Sequence, residues 1–322
     1  MTGGSASGPA PFFADIADAP DGARALWARA ADGVRLRIGL LAAPAAEARG
    51  TVLLFTGRSE YVEKYGPAAR ALAGHGYACL AIDWRGQGLA DRPAGDPATG
   101  HVAHFADYQR DVAALLESVA ELGLPRPFFL LAHSMGACIG LRALHEGLPV
   151  AAAVFSAPMW NIAMPAALRL PARLLAGLVH GVGLGARRIP FTGSLAYVTT
   201  ADFDDNALTG DRVMFDWMRH QLRAHPELVL GGPSFAWFRE ALREVESFRD
   251  RPLPELPCLT WMGTGERLVD SATIRRMMAA WPGSELTVIE GARHEVMMEG
   301  PEIRNGFIDA ACALYDDVAR PG

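Results

Sequence analysis

The sequence predicts an α/β protein: a mostly parallel central sheet, helices on both faces, and a helical cap inserted between two of the strands. Three observations carry this. Short apolar runs without alternation recur along the chain, as strands covered on both faces require. Between them lie segments with apolar residues at three- and four-residue steps, the spacing of helices with one buried stripe. Near residue 159 the alternation stops for about seventy residues and then resumes.

Taken in order, residues 1–24 read as an N-terminal arm, loose over its first twenty residues, which are rich in Gly, Ala and Pro. Asp32-Gly33 favours a tight turn, because both residues tolerate positive φ. After it Val34, Leu36, Ile38 and Leu40 alternate with Arg35 and Arg37, the period of a half-buried strand. Thr51–Phe55, Ala78–Ile82, Phe128–Leu131 and Ala151–Phe155 are the apolar runs expected to form the buried parallel strands. Over 104–122, Phe105, Tyr108, Val112, Leu115, Val119 and Leu122 form one helical stripe. The insertion, 159–231, contains no clear strand and reads as a cap or lid between two core segments, 25–158 and 232–322. A helix over 233–249 and strands at Leu259–Met262 and Leu286–Ile289 complete the core.

Composition narrows the function classes. The formal net charge is −6, from 30 basic and 36 acidic residues, and no dense Lys/Arg stretch offers a nucleic acid a binding face. Cys79, Cys138, Cys258 and Cys312 lie far apart with no CxxC pair, so reduced core thiols are expected, with no metal site and no cofactor. The start MTGGSASGPAPFF lacks a basic n-region and a long apolar run, and nothing reaches the roughly 18 apolar residues of a membrane span. A cytoplasmic protein is expected.

The chemistry centres on Leu130-Leu131-Ala132-His133-Ser134-Met135-Gly136-Ala137, where a strand runs into a sharp turn and then a helix with Ser134 at the apex. Small residues are needed two before and two after the serine, because backbone and helix pass close there; Ala132 and Gly136 occupy those places. A serine that only caps a helix is the plainer alternative. A serine hydroxyl becomes a useful nucleophile when a base takes its proton and an acid holds that base in the right tautomer. Of nine histidines, His294 is the one placed directly after the last expected strand, in Gly291-Ala292-Arg293-His294-Glu295.

The acid should follow the preceding strand, where Glu266 and Asp270 compete. Glu266 sits nearer the strand end and the Gly263/Gly265 turn, whereas Asp270 is placed to cap a helix at Ser271–Ala280. An ion pair with Arg267 is the alternative role for Glu266. Oxyanion donors are expected from the backbone N–H of Met135 and of Arg58, with Gly57 letting the loop turn. Glu60, Met159 and Trp160 are expected to bind substrate. Asp83-Trp84-Arg85-Gly86-Gln87-Gly88 reads as a structural turn, with Asp83 and Arg85 tying loops together.

With these residues in view, the chain resembles the monoacylglycerol lipase and lysophospholipase group of α/β hydrolases, near the lysophospholipase L2 type, over roughly 25–318. The carriers are Thr56–Tyr65, Asp83–Gly88, Ala132–Gly136, Gly263–Asp270 and Gly291–His294. The resemblance implies the α/β-hydrolase fold, an acid at Glu266, oxyanion donors at Arg58 and Met135, and a cap at 159–231. Three departures stand out: Thr56-Gly57 replaces the usual His-Gly, Ala132 replaces the first elbow glycine, and the acid is glutamate rather than aspartate. The expected function is hydrolysis of carboxylic esters of monoacyl lipids. A small-ester esterase, an aminopeptidase and a carbon–carbon hydrolase use the same triad, and a non-catalytic binding protein is the reading of another class. Between 159 and 185 the cap's only full charges are Arg169 and Arg173, so peripheral membrane contact through the cap is a further expectation.

Overall fold

A computed structural model describes residues 8–93 and 95–319. Nine strands form one sheet: β1 (Pro9–Ala10), β2 (Arg24–Arg29), β3 (Arg35–Ala42), β4 (Gly50–Phe55), β5 (Tyr77–Asp83), β6 (Phe128–His133), β7 (Ala153–Ser156), β8 (Cys258–Gly263) and β9 (Ser284–Ile289). Their spatial order is β1-β2-β3-β5-β4-β6-β7-β8-β9. The first strands pair antiparallel as far as β3 on β5, and from β5 onward every pair is parallel. The expected sheet is therefore present, and the turn at Asp32-Gly33 joins β2 to β3, with Gly33 at φ 86°.

The helices are α1 (Ala14–Ala17), α2 (Gly66–Gly74), α3 (Tyr108–Glu121), α4 (Met135–His145), α5 (Ala166–Gly181), α6 (Tyr197–Thr200), α7 (Arg212–Ala224), α8 (Phe235–Ser247), α9 (Ser271–Ala280) and α10 (Pro301–Ala319). They cover both faces, which explains the apolar runs. Along β4, Leu53 and Phe55 pack into one core with α3, α4, α8 and α9. Val52 and Leu54 pack into the other, with α2, α7 and α10. Side chains still alternate, but each face meets hydrocarbon, so polarity does not alternate with them.

One expectation needs correction, at the N-terminus. The arm is not loose where it is described: β1 pairs with β2, and Ile16 and Ala17 of α1 are buried. A Cβ on Gly66 would sit 1.7 Å from the Ala17 carbonyl oxygen, so α1 is clamped against the start of α2. The first seven residues of the arm lie outside the described residues. The insertion carries α5, α6 and α7 and no strand. Of these, α7 buries Met214, Phe215, Met218 and Leu222 in the second core, whereas α5 buries only Ala176.

The turn after β5 is structural, as expected. Asp83 accepts from Arg37 Nε (2.7 Å) and from the N–H groups of Val62 and Leu89 (2.9 and 2.8 Å). Arg85 joins Asp111 and Asp32. The four cysteines are buried free thiols. Among the described residues no helix is long and apolar enough to cross a membrane.

Candidate active site

Ser134 sits between β6 and α4 with φ 49° and ψ −115°, a left-handed backbone that a serine adopts only when its surroundings hold it there. Three hydrogen bonds do so. Its N–H donates to the Ser156 carbonyl (3.1 Å), and its own carbonyl accepts from Ala137 and Met159 N–H (3.1 and 3.0 Å). Gly136 is needed for close approach: a Cβ there would lie 2.2 Å from the Phe55 carbonyl oxygen. Ala132 is fully buried at the end of β6, so its methyl is accommodated where glycine is commoner in the resembling family.

The parallel strands all end at one edge, and the loops leaving β6, β8 and β9 meet there. His294 Nε2 lies 2.9 Å from Ser134 Oγ, and His294 Nδ1 lies 2.7 Å from Glu266 Oε2. The other Glu266 oxygen accepts from the N–H groups of Leu268 (2.6 Å) and Val269 (3.1 Å), which fixes the carboxylate. Burial alone would raise the Glu266 pKa, but the facing imidazole and these donors outweigh it and hold the carboxyl below its ordinary value. Burial likewise opposes a charged His294, yet Glu266 prevails and its pKa is raised.

Asp270 takes the other role anticipated for it. Its side chain accepts from Ala272 and Thr273 N–H at the start of α9, and it makes no contact with His294. Arg267 pairs with Asp205 rather than with Glu266. Gly57 has an ordinary negative-φ backbone. Its constraint is crowding, since a Cβ would lie 2.7 Å from Glu60 Oε2 and 2.9 Å from the His133 ring. Among the described residues neither the Arg58 nor the Met135 N–H has a hydrogen-bond acceptor.

A cavity of about 510 Å³ reaches Ser134 and His294, and its wall is mostly apolar, with Ile162, Val198, Met218, Leu222 and Phe238 among its lining. Arg58, Glu60 and Met159 are among its lining. Trp160 does not: it is 1% exposed, stacked on Trp281 and edge-on to Phe155 in the core. The chain turns inward directly after Met159, so this expectation is corrected.

Sequence reasoning missed a buried polar group at one end of the cavity. Lys64 Nζ donates to Glu60 Oε1 (2.6 Å) and Glu295 Oε1 (2.7 Å), and His133 Nε2 lies 3.4 Å from Glu295. Tyr65 and the Gly57 N–H also donate to Glu60. Glu60, His133 and Glu295 are close enough to ligate a cation, but the Lys64 ammonium already supplies the charge between the carboxylates. The i,i+4 spacing of Glu60 and Lys64 was the one signal in the sequence.

Residues 46–301 match the family model described as serine aminopeptidase, S33. The probable lysophospholipase L2 of Haemophilus influenzae is 31% identical over 277 residues, covering 85% of this chain and 86% of that one. Lysophospholipase L2 of Escherichia coli K12 is 31% identical over 279 residues, 82% and 80% of the two chains. The fold matches a soluble variant of monoglyceride lipase from Saccharomyces cerevisiae with TM-score 0.70, 21% identity and coverage of 91% and 95%. It also matches a carboxyl esterase from Bacillus coagulans with TM-score 0.75, 15% identity and coverage of 92% and 99%. By the extent of these matches, the chain belongs to the serine aminopeptidase S33 family of α/β hydrolases, with lysophospholipase L2 proteins among its relatives.

Proposed function

We propose that the chain hydrolyses carboxylic esters of monoacyl lipids through an acyl-enzyme, with Ser134 as nucleophile, His294 as base and Glu266 as the acid orienting it. The observation that carries this is the hydrogen-bonded row Ser134–His294–Glu266 at the mouth of an apolar cavity. As Ser134 Oγ attacks the ester carbon, its proton passes to His294 Nε2 and Glu266 stabilises the imidazolium. The oxyanion is met by the N–H groups of Arg58 and Met135. The imidazolium then protonates the leaving alkoxide. Water, deprotonated by the same nitrogen, cleaves the acyl-enzyme and frees the fatty acid. The apolar wall suits a single acyl chain.

Residues 159–231 act as the cap over this cavity, and α5 is its lipid-facing helix. Leu168, Leu170, Leu174, Leu175 and Leu178 are each more than half exposed. Both arginines of α5 reach back to the core side: Arg169 to Asn161 and Arg173 to Glu246. Such an unpartnered apolar stripe favours peripheral contact with a lipid surface.

The test is a substrate panel of monoacylglycerol, lysophosphatidylcholine, p-nitrophenyl acetate and an aminoacyl amide, run with wild type and Ser134→Ala. Turnover of the monoacyl lipids that vanishes in Ser134→Ala supports the proposal. Cleavage of the amide alone would replace it with the aminopeptidase reading. Leu174→Ser/Leu178→Ser should weaken sedimentation with phosphatidylglycerol vesicles while p-nitrophenyl acetate turnover persists; unchanged sedimentation would remove α5 from that role.

A further inference from the structure

Arg58, half-buried in the cavity wall, differs from the buried cations Arg37, Lys64 and Arg85. Arg37 faces Glu63 and Asp83, Lys64 faces Glu60 and Glu295, and Arg85 faces Asp32 and Asp111. Among the described residues no carboxylate pairs with Arg58. Its Nη2 donates to the Gly231 carbonyl (2.7 Å) and its Nη1 to the Ser59 hydroxyl (3.1 Å). Its Nε is shielded from water and has no acceptor. The side chain is half-buried in the cavity wall, and a cation there with no counter-ion is costly until a ligand supplies one. Burial pushes its pKa down to about 10, which leaves it charged at neutral pH.

The guanidinium is also held in place. It lies over the Trp237 ring, 5.2 Å from the centroid, and a Cβ on Gly100 would come within 2.7 Å of Nη2. A planar fork of N–H donors, positively charged and without a counter-ion, is matched by the oxygens of a phosphate. The polar group around Lys64 does not compete for that anion. There Glu60 and Glu295 outnumber Lys64, and burial holds the His133 pKa below its ordinary value. The backbone of Arg58 faces the ester oxygen in the proposed reaction while its side chain extends under the cap toward Gly231.

We propose that the Arg58 side chain recognises the phosphate of the substrate and so selects lysophospholipids over uncharged monoacylglycerols. This rests on the reading of the cavity as a monoacyl-ester site. The test compares 1-palmitoyl lysophosphatidylcholine with 1-palmitoylglycerol in the same detergent micelles, for wild type, Arg58→Lys, Arg58→Met and Arg58→Gln. The ratio of kcat/KM between the two lipids should fall at least tenfold in Arg58→Met and Arg58→Gln and less in Arg58→Lys. The glutamine variant keeps a polar, uncharged side chain if the methionine variant melts below the assay temperature. Equal losses on both lipids would overturn the proposal and leave Arg58 as a support for the cap. A second arm needs no turnover: calorimetric binding of sn-glycero-3-phosphocholine to Ser134→Ala should be lost in Ser134→Ala/Arg58→Gln. Equal binding, or none to the parent, refutes the phosphate role. Wild type that cleaves neither lipid but binds the phosphodiester through Arg58 would sink the ester reading alone.

Discussion

Replacing Glu266 by glutamine tests the proposed triad with the least disturbance of shape. Two backbone donors, Leu268 and Val269, already hold Oε1, so the new amide keeps its oxygen there and turns its NH2 toward His294. That amine faces Nδ1 across the 2.7 Å gap now spanned by a hydrogen bond to Oε2. Nδ1 must then accept, its proton moves to Nε2, and Nε2 can no longer take the proton of Ser134 2.9 Å away. The acid-to-amide change in the serine-protease triad lowers kcat by about 10⁴. A loss of about 10³–10⁴ is therefore expected here, roughly 4–5.5 kcal/mol of transition-state stabilisation. Initial rates on p-nitrophenyl butyrate, with the rate of fluorophosphonate labelling of Ser134, measure it, and circular dichroism checks the fold. A loss below tenfold in a folded variant would refute the role given to Glu266. Asp270→Ala is the control: it removes the cap at the start of α9, costs about 1 kcal/mol of stability, and leaves turnover within threefold.

The pH dependence follows from His294. Its pKa is raised above the ordinary 6.5, and only the neutral ring is a base, so kcat/KM should fall as pH drops through an inflection above that value. A profile flat from pH 5 to 8 contradicts this. Gly136→Ala forces a methyl toward the Phe55 and Thr56 carbonyls and should cost about 3 kcal/mol, seen as a lower melting temperature, because β4 must shift. Lys64→Met strands Glu60 and Glu295 and should cost about 3–5 kcal/mol at neutral pH. Burial favours a protonated Glu60 and the ammonium opposes this, so without Lys64 the Glu60 pKa rises in the folded state and the deficit shrinks as pH falls. An unchanged melting temperature at pH 7 would show that the ammonium is dispensable.

Much of the fold was legible because burial on both faces leaves a plain trace. The runs at β4, β5 and β6 needed no alternation to be read as strands. The bounds of α9 were readable from one residue, since Asp270 caps it. The proposed triad Ser134, Glu266 and His294 was legible because each lies in the loop after a strand end, and parallel strands bring their ends together. What stayed hidden depends on contacts between distant segments. Nothing local in a Gly- and Pro-rich stretch announces that Ile16 and Ala17 are buried. Lys64 and Glu295 lie 231 positions apart, and only the fold makes them partners. Trp160 misled because an aromatic at the start of the insertion looks the same from either side of the turn that buries it.

The convergence of three loops at one sheet edge also bears on how the protein acquires activity. Ser134 and His294 are 160 positions apart, and β6, β8 and β9 must all lie in register before imidazole and hydroxyl can meet. Helices formed early contribute nothing to turnover by themselves. Recovered esterase rate after dilution from denaturant thus times the last docking event of the chain, whereas far-ultraviolet signals report its earliest steps.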